Sequence, residues 1–455
     1  MEQNEQIERF RKAVRIKTDW PVGALKGDTE AEAPLGHFQD FLAEAYPLFH
    51  RTAERFVLSP YSVVYRWPGS NGSLGSNSGG EKPALILAHY DVVPVEKEKW
   101  TADPFGAEIK DGFVYGRGTL DMKNILVGIM EGAEALCGQG FKPQRDIWFA
   151  FGGDEERAGV FGARETAKWF AGKNISFSWI LDEGSPLAVD FFRGVTRPLA
   201  LFGIEEKGFL SLDLTVAQKP GHASNPPRVQ AAAVLARALL RISRTSFPCR
   251  LIPTVEGFFS QLAKLTGGVQ SFALAHARLL GPLFFKLVSG NPTTNSMLHT
   301  TIAMTQLAGS SADNVMPSEV RAVLNLRLLQ PWTVEKAIGF IKKAVKDERV
   351  EVKIHGHSSG PVPANPDHAK LRGPGWQEME AAVHSAFPDA AILPFIMTAT
   401  TDSRHYQHLA KGIFRFNPLK LNPAELSLIH GHDERVSLEN FAGGVKFYTA
   451  LFGSL

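Results

Sequence analysis

Three short apolar runs, ALILAH (84–89), DIWFAF (146–151) and FSWILDE (177–183), each lead into histidine or carboxylate side chains at their carboxyl ends. Each has the length of a strand buried on both faces, and helical spacing at 125–136 and 162–170 separates them. Strands alternating with helices imply βαβ units and a mostly parallel sheet with both faces covered. In such sheets ligands bind beyond the carboxyl ends of the strands. The sequence therefore brings His89, the triplet Asp154-Glu155-Glu156 and the pair Asp182-Glu183 to one sheet edge.

The pattern changes near residue 208. FLSLDLTVA (209–217) alternates with period two, residues 230–242 form an amphipathic helix, and TTIAMTQL, VRAVLNLRLL, a helix at 334–345 and VEVKIHG follow. Strand–helix–strand–strand–helix–strand is the order of a small ferredoxin-like unit. The expected fold is α/β with two domains. A mostly parallel-sheet catalytic domain spans 1–204 and 358–455, and a ferredoxin-like α+β lid or dimerisation domain is inserted at 205–357. Further helices are expected at 376–387 and 441–451. The apolar stretch 272–288 is broken by His276, Arg278, Pro282 and Lys286. It is too short for a membrane span and reads as a buried or interfacial helix pair. The Gly/Ser/Asn-rich stretch 69–80 reads as an exposed loop.

Bulk properties narrow the function. A formal net charge of +2 over 455 residues gives no electrostatic case for nucleic acid or an anionic membrane. Two cysteines, Cys137 and Cys249, cannot build a disulfide framework, and the polar N-terminus has no apolar core of a signal peptide. A reducing, cytoplasmic location is expected. Neither a G-x-S-x-G elbow nor a P-loop is present, which argues against a serine hydrolase and a nucleotide-dependent enzyme.

The candidate residues have ordinary readings one at a time. His89 and Asp91, two apart, share a side of an extended chain, so Asp91 can hold one ring nitrogen and free the other for a metal; the pair could equally fix a turn. Asp121 precedes a helix, where Asp is a favoured cap. Glu155 and Glu156 could be a solvated helix start, although adjacent acids after an apolar strand call for a cation or a proton. Late in the chain, LIHGHDER supplies His430 and His432, with Asp433-Glu434 as a candidate cap for the last helix. Together, two histidines and three carboxylates suit zinc or a similar first-row ion better than magnesium or calcium.

Seven motifs resemble those of a known family. H-x-D-V-V-P (89–94), G-R-G-x-x-D (116–121), D-E-E (154–156), D-E-G (182–184), G-H-x-S (221–224), T-D-S-R-H-Y (401–406) and I-H-G (429–431) follow, in order, the metallopeptidases related to aminoacylase, carboxypeptidase S and carboxypeptidase G. RFNPLKLNP (415–423) and GNPTTNSM (290–297) fit the branch with carboxypeptidase S and the N-fatty-acyl-amino acid synthase/hydrolase.

The resemblance implies a site with two zinc ions: His89 and Glu183 on one, Glu156 and His430 on the other, and Asp121 bridging. Asp182 and His432 stay open as alternatives to Glu183 and His430. Asp91 would orient His89, Glu155 would be the general acid/base, and His222 would stabilise the oxyanion, in related dimers from the partner subunit. Arg404 first and Arg327 second are expected to bind the carboxylate of a small-molecule substrate, though either could be a structural ion pair, and Asn295 is a third candidate, for substrate contacts from the lid. The implied activity is hydrolysis, or reversible formation, of the amide bond of N-acyl amino acids, with 258–288 lining an acyl groove and a homodimer as the assembly. The rivals are a carboxypeptidase or dipeptidase on short peptides, and a non-catalytic metal-binding scaffold, for which Glu155 would be superfluous.

Overall fold

The computed structural model describes residues 2–21, 26–71, 82–192, 194–288 and 290–455. The loop expected at 69–80 lies outside the described residues from 72 onward. The main sheet has eight strands, in the order Glu54–Ser59, Ser62–Trp67, Ile147–Gly152, Ala84–His89, Phe177–Ala188, Ala410–Leu421, Leu199–Glu206 and Ala391–Met397. The four central strands, from Ile147–Gly152 to Ala410–Leu421, run parallel. Antiparallel pairings join the 54–67 hairpin on one flank and Leu199–Glu206 on the other. Ala84–His89 and Ile147–Gly152 are buried at every position, as coverage on both faces requires.

Helices Lys123–Gly138 and Leu438–Gly453 cover one face, where Phe452 meets Phe149 edge-on at 5.4 Å. A Cβ at Gly132 would lie 2.9 Å from the Thr449 backbone nitrogen, so glycine lets these two helices touch. Ala163–Gly172 covers the other face, with Phe170 against Trp148 and Phe177.

One strand departs from expectation in a way that matters for the site. Phe177–Ala188 does not stop at Asp182-Glu183 but continues five residues beyond Glu183. Its pairing with Ala84–His89 ends at Leu181, and its register against Ala410–Leu421 jumps from Asp182 to Ser185. Glu183 and Gly184 are thereby left out of the ladder, as in a bulge. A Cβ on Gly184 would sit 2.4 Å from the Arg415 carbonyl carbon, so only glycine permits the bulge to close.

The second sheet is antiparallel, ordered Thr301–Ala308, Glu319–Leu328, Gly208–Ala217, Glu351–Ser359. Helices Ala231–Ser243 and Val334–Val345 pack on it through Val234, Leu235, Ala238 and Ile341 against Leu210, Leu212 and Leu214. This is the ferredoxin-like arrangement. The helices Pro253–Leu265, Gly268–Ala275, Ala277–Val288 and Pro292–Leu298 do not join that core. Their buried residues, including Phe258, Phe259, Phe284 and Met297, pack with Leu199, Leu201, Leu393 and Phe395 at the edge of the main sheet. No helix among the described residues is long and apolar enough to cross a membrane.

Candidate metal centre

His89 closes its strand beside Gly152, the last residue of the neighbouring one. Its Nδ1 lies 3.0 Å from the Asp91 carbonyl oxygen and 3.4 Å from Asp91 Oδ1. The protonated nitrogen is thereby fixed, and Nε2 faces the acids, 3.0 Å from Asp121 Oδ1 and 3.5 Å from Glu183 Oε1. Asp91 does more than orient the ring. Its two carboxylate oxygens accept from the backbone N–H groups of Glu155 and Glu156, each at 3.1 Å, and so hold the turn that carries both acids.

Asp121 is not a helix cap; the N-cap position belongs to Met122, which makes no side-chain capping bond. Its second oxygen, Oδ2, lies 3.0 Å from His430 Nε2, and that nitrogen is 3.1 Å from Glu156 Oε1. Asp121 therefore offers one oxygen to each histidine. Ligand-type atoms of His89, Asp121 and Glu156, and of His89, Glu155 and Glu183, fall within 4.8 Å of one another. The alternative Asp182 is occupied elsewhere, accepting from the backbone of Glu183 (2.9 Å) and Ser403 (2.7 Å). His432 points to Glu96 at 3.5 Å, while His430 joins the cluster.

The electrostatics of this cluster call for positive charge. Burial, with Asp121 alongside, pushes Glu183 up to about 8. Burial and the neighbouring Glu183 hold Glu155 well above the carboxylate range, and burial raises Glu156 against the pull of His430. Hydrogen bonds to Asp121 and Glu156 lift His430 to about 10. Three crowded carboxyl groups, Glu155, Glu156 and Glu183, are thus pushed toward their protonated forms, while the two histidines hold Asp121 well below the carboxylate range. Divalent cations would relieve that crowding, and a mixed imidazole and carboxylate donor set suits first-row ions. The residues fit a metal pair.

Two residues beneath the cluster take roles the sequence did not announce, although Arg117 lies within the G-R-G-x-x-D motif. Glu434 is fully buried; its Oε1 accepts from Leu120 N (2.7 Å) and Asp121 N (3.3 Å), and its Oε2 pairs with Arg117 Nη1 at 2.5 Å. Arg117 also donates to the His430 carbonyl at 3.2 Å and lies over the Trp100 ring at 5.3 Å. The expected cap role falls to Ser437, whose side chain accepts from Asn440 N. Glu434 and Arg117 instead tie the Asp121 turn to the His430 turn.

A cavity of about 740 Å³ opens from the cluster, within the usual range for small-molecule sites. Asp121, Glu155, Glu156, Glu183 and His430 form one end, and Phe191, Phe192, Leu201, Phe209 and Phe395 form an apolar wall. None of the described side chains of the insertion 258–288 lines it: Phe258 backs the wall, 5.5 Å from Phe192 and 5.7 Å from Phe395 between ring centroids. Arg327 lines the cavity, held over Phe209 at 4.8 Å, with Nη1 buried and lacking a hydrogen-bond partner. Arg404 does not line it. Its Nη2 pairs with Glu206 at 2.5 Å, because Glu206 is fully buried at the sheet edge and draws both Arg404 and Arg415 (2.9 Å) to itself. Asn295 sits on the helix Pro292–Leu298, which reaches the cavity through Thr293 and Ser296 instead. His222 is exposed on a two-residue strand, 2.7 Å from Ser224 Oγ, outside the cavity lining.

The chain is similar to known proteins over nearly its whole length. The family described as Peptidase family M20/M25/M40 matches residues 85–454. An N-fatty-acyl-amino acid synthase/hydrolase from Xenopus tropicalis is 31% identical over 99% of this chain and 86% of its own length. A probable carboxypeptidase S-like protein from Dictyostelium discoideum is 34% identical over 98% of this chain and 84% of its own. Among solved structures, an M20 family metallo-carboxypeptidase from Sulfolobus solfataricus shares the fold with a TM-score of 0.70 at 16% identity, over 98% of both chains. Human carnosine dipeptidase 1 does so at 0.68 and 15%, over 99% of this chain and 96% of its own. The chain belongs to the peptidase family M20/M25/M40 and is a metallohydrolase.

Proposed function

We propose that this metallohydrolase cleaves, and can re-form, the amide bond of N-acyl amino acids whose acyl group is apolar. The observation that carries the reading is the cavity itself, with donor cluster, unpaired Arg327 and aromatic wall around one space. An N-acyl amino acid presents a carboxylate, an amide and an apolar chain, one for each of these surfaces. His89 and Glu183 are assigned to one zinc, Glu156 and His430 to the other, and Asp121 to both. When bound, such an ion pair supplies an activated water and polarises the scissile carbonyl.

The chain's own residues do the rest. Glu155, whose carboxyl group readily holds a proton, takes one from the attacking water and returns it to the leaving nitrogen. Asp91 keeps that carboxylate and Glu156 in place through their backbone N–H groups. Arg327 offers its fork to the substrate carboxylate, and Arg404 with Glu206 braces the adjoining loop. The exposed His222 is assigned to oxyanion stabilisation across a homodimer. In domain terms, 253–298 serves as a wall of the catalytic domain, and the rest of the inserted segment 205–357 as the lid. Both cysteines are unpaired, in keeping with a cytoplasmic location.

The 34% identical carboxypeptidase S-like relative favours a second reading, release of a C-terminal residue from short peptides. A panel of N-acyl amino acids of rising acyl length and of dipeptides, with and without chelator, separates the two. Activity that ignores chelation, or that prefers dipeptides to every long-acyl substrate, overturns the proposal.

A further inference from the structure

The outer side of the helical wall behind the cavity is apolar where a surface helix should be polar. On Gly268–Ala275 and Ala277–Val288, Val269 is 85% exposed, Phe272 55%, Leu279 79% and Leu283 66%. The inner side of the same two helices buries Leu274, Ala277 and Phe284 in the cluster that contains Leu201 and Phe395, two residues of the cavity wall. Large apolar side chains exposed together on neighbouring helices mark an interaction or lipid-facing surface. Its main-chain break at Gly281 (φ 48°) and Pro282 places Leu279 and Leu283 either side of the kink, both outward.

The local charge is one-sided although the whole chain is nearly neutral. No aspartate or glutamate occurs between Glu256 and Asp313, while Lys264, His276, Arg278 and Lys286 do. Glu256 pairs with Arg278 at 2.6 Å, which leaves Lys264 and Lys286 as exposed cationic groups on these helices and the one before them. Exposed apolar side chains on helices that carry a lysine and no acid of their own match the boundary of an anionic lipid layer, where the side chains enter the acyl region and the cations meet the headgroups.

We propose that residues 268–288 dock this protein on an anionic phospholipid surface. The proposed function gives that docking a use, since acyl amino acids are amphiphiles that partition into such surfaces, and the wall behind the cavity would face the layer that holds them.

The test is co-sedimentation of the full chain with vesicles of phosphatidylcholine alone or mixed with phosphatidylserine, beside turnover of a soluble acetyl amino acid. The wild type should bind the anionic vesicles, more weakly at high salt. The double variant Leu279→Ser/Leu283→Ser should lose at least about tenfold in partitioning while keeping turnover, because both side chains already stand in water. Lys286→Glu should erase the preference for anionic vesicles. Absence of wild-type binding overturns the proposal, as does equal binding by the double variant. So does a wild-type oligomer that the double variant dissociates without any vesicle binding, which would make the patch a self-association surface. Vesicle binding without hydrolysis of any acyl amino acid would sustain the docking and refute the proposed function instead.

Discussion

Replacing Glu434 by glutamine isolates what holds the metal centre in shape. The substitution keeps size and one acceptor, and removes the charge that Arg117 pairs with at 2.5 Å in a buried setting. An amide also turns an N–H group either toward the guanidinium or toward the N–H groups of Leu120 and Asp121, which need acceptors at 2.7 and 3.3 Å. Breaking a buried ion pair from one side costs on the order of 3 kcal/mol, since the remaining charge is left uncompensated. The second cost falls on the ligands. Asp121 N is held by Glu434, and the His430 carbonyl by Arg117, so both turns loosen together. Outer groups that orient metal ligands typically carry about 10–100-fold in affinity. Urea unfolding of the metal-free protein should therefore show the stability loss, and competition with a zinc chelator the weaker binding. A variant that loses stability while its zinc affinity is unchanged would show that the pair braces the fold and not the ligands.

Further expectations follow from single side chains. With metals still bound, Glu155→Gln should lower kcat by about 10²–10⁴-fold with KM little changed, and a variant within tenfold of wild type would remove Glu155 from proton transfer. Arg327→Ala should raise KM for substrates with a free carboxylate and leave their amides unaffected, whereas Arg404→Ala should lower stability by leaving buried Glu206 with Arg415 alone; the reverse result would restore Arg404 as the carboxylate anchor. Lys207 is fully buried between the two sheets, donates to the Ser296 and His299 carbonyls, and burial lowers its pKa to about 7. Between pH 7 and the ordinary lysine value the unfolded chain binds a proton that the folded chain has released, so stability rises with pH by up to about 1.4 kcal/mol per unit. Lys207→Met should flatten that rise in urea titrations from pH 7.5 to 9.5, although buried Lys123, also lowered to about 7, retains its own contribution in the same direction.

Parts of this molecule were written locally and parts were not, and the division has physical causes. ALILAH spans the very strand it forms because a strand buried on both faces must be apolar throughout, and the helix at 123–138 declares itself through spacing. The strands Ala391–Met397 and Ala410–Leu421 escape such reading. Pro394 is tolerated because its strand is an edge, and the fully buried Arg415 breaks the apolar run of the other. Arg415 makes sense only once Glu206 is found 2.9 Å away.

The same distinction governs the site. The proposed ligands His89, Asp121, Glu156, Glu183 and His430 are recognisable because a cation accepts only a few side-chain types, so chemistry restricts what the sequence can show. Their supports are less restricted, because any buried acceptor can hold a backbone N–H. Glu434, 317 residues from its partner Arg117, looks like a helix cap until the chain is folded. Arg327 and Arg404 are alike in sequence, and what separates them is a third residue: Glu206 claims one guanidinium and leaves the other facing the cavity. On the proposed reading, substrate recognition is set as much by where the buried acid lies as by where the arginines do. Glu206→Gln, which releases Arg404 without touching the proposed metal ligands, should let a second cation compete for the substrate carboxylate and blur the selectivity proposed for Arg327, which KM values for acyl amino acids and their amides would show.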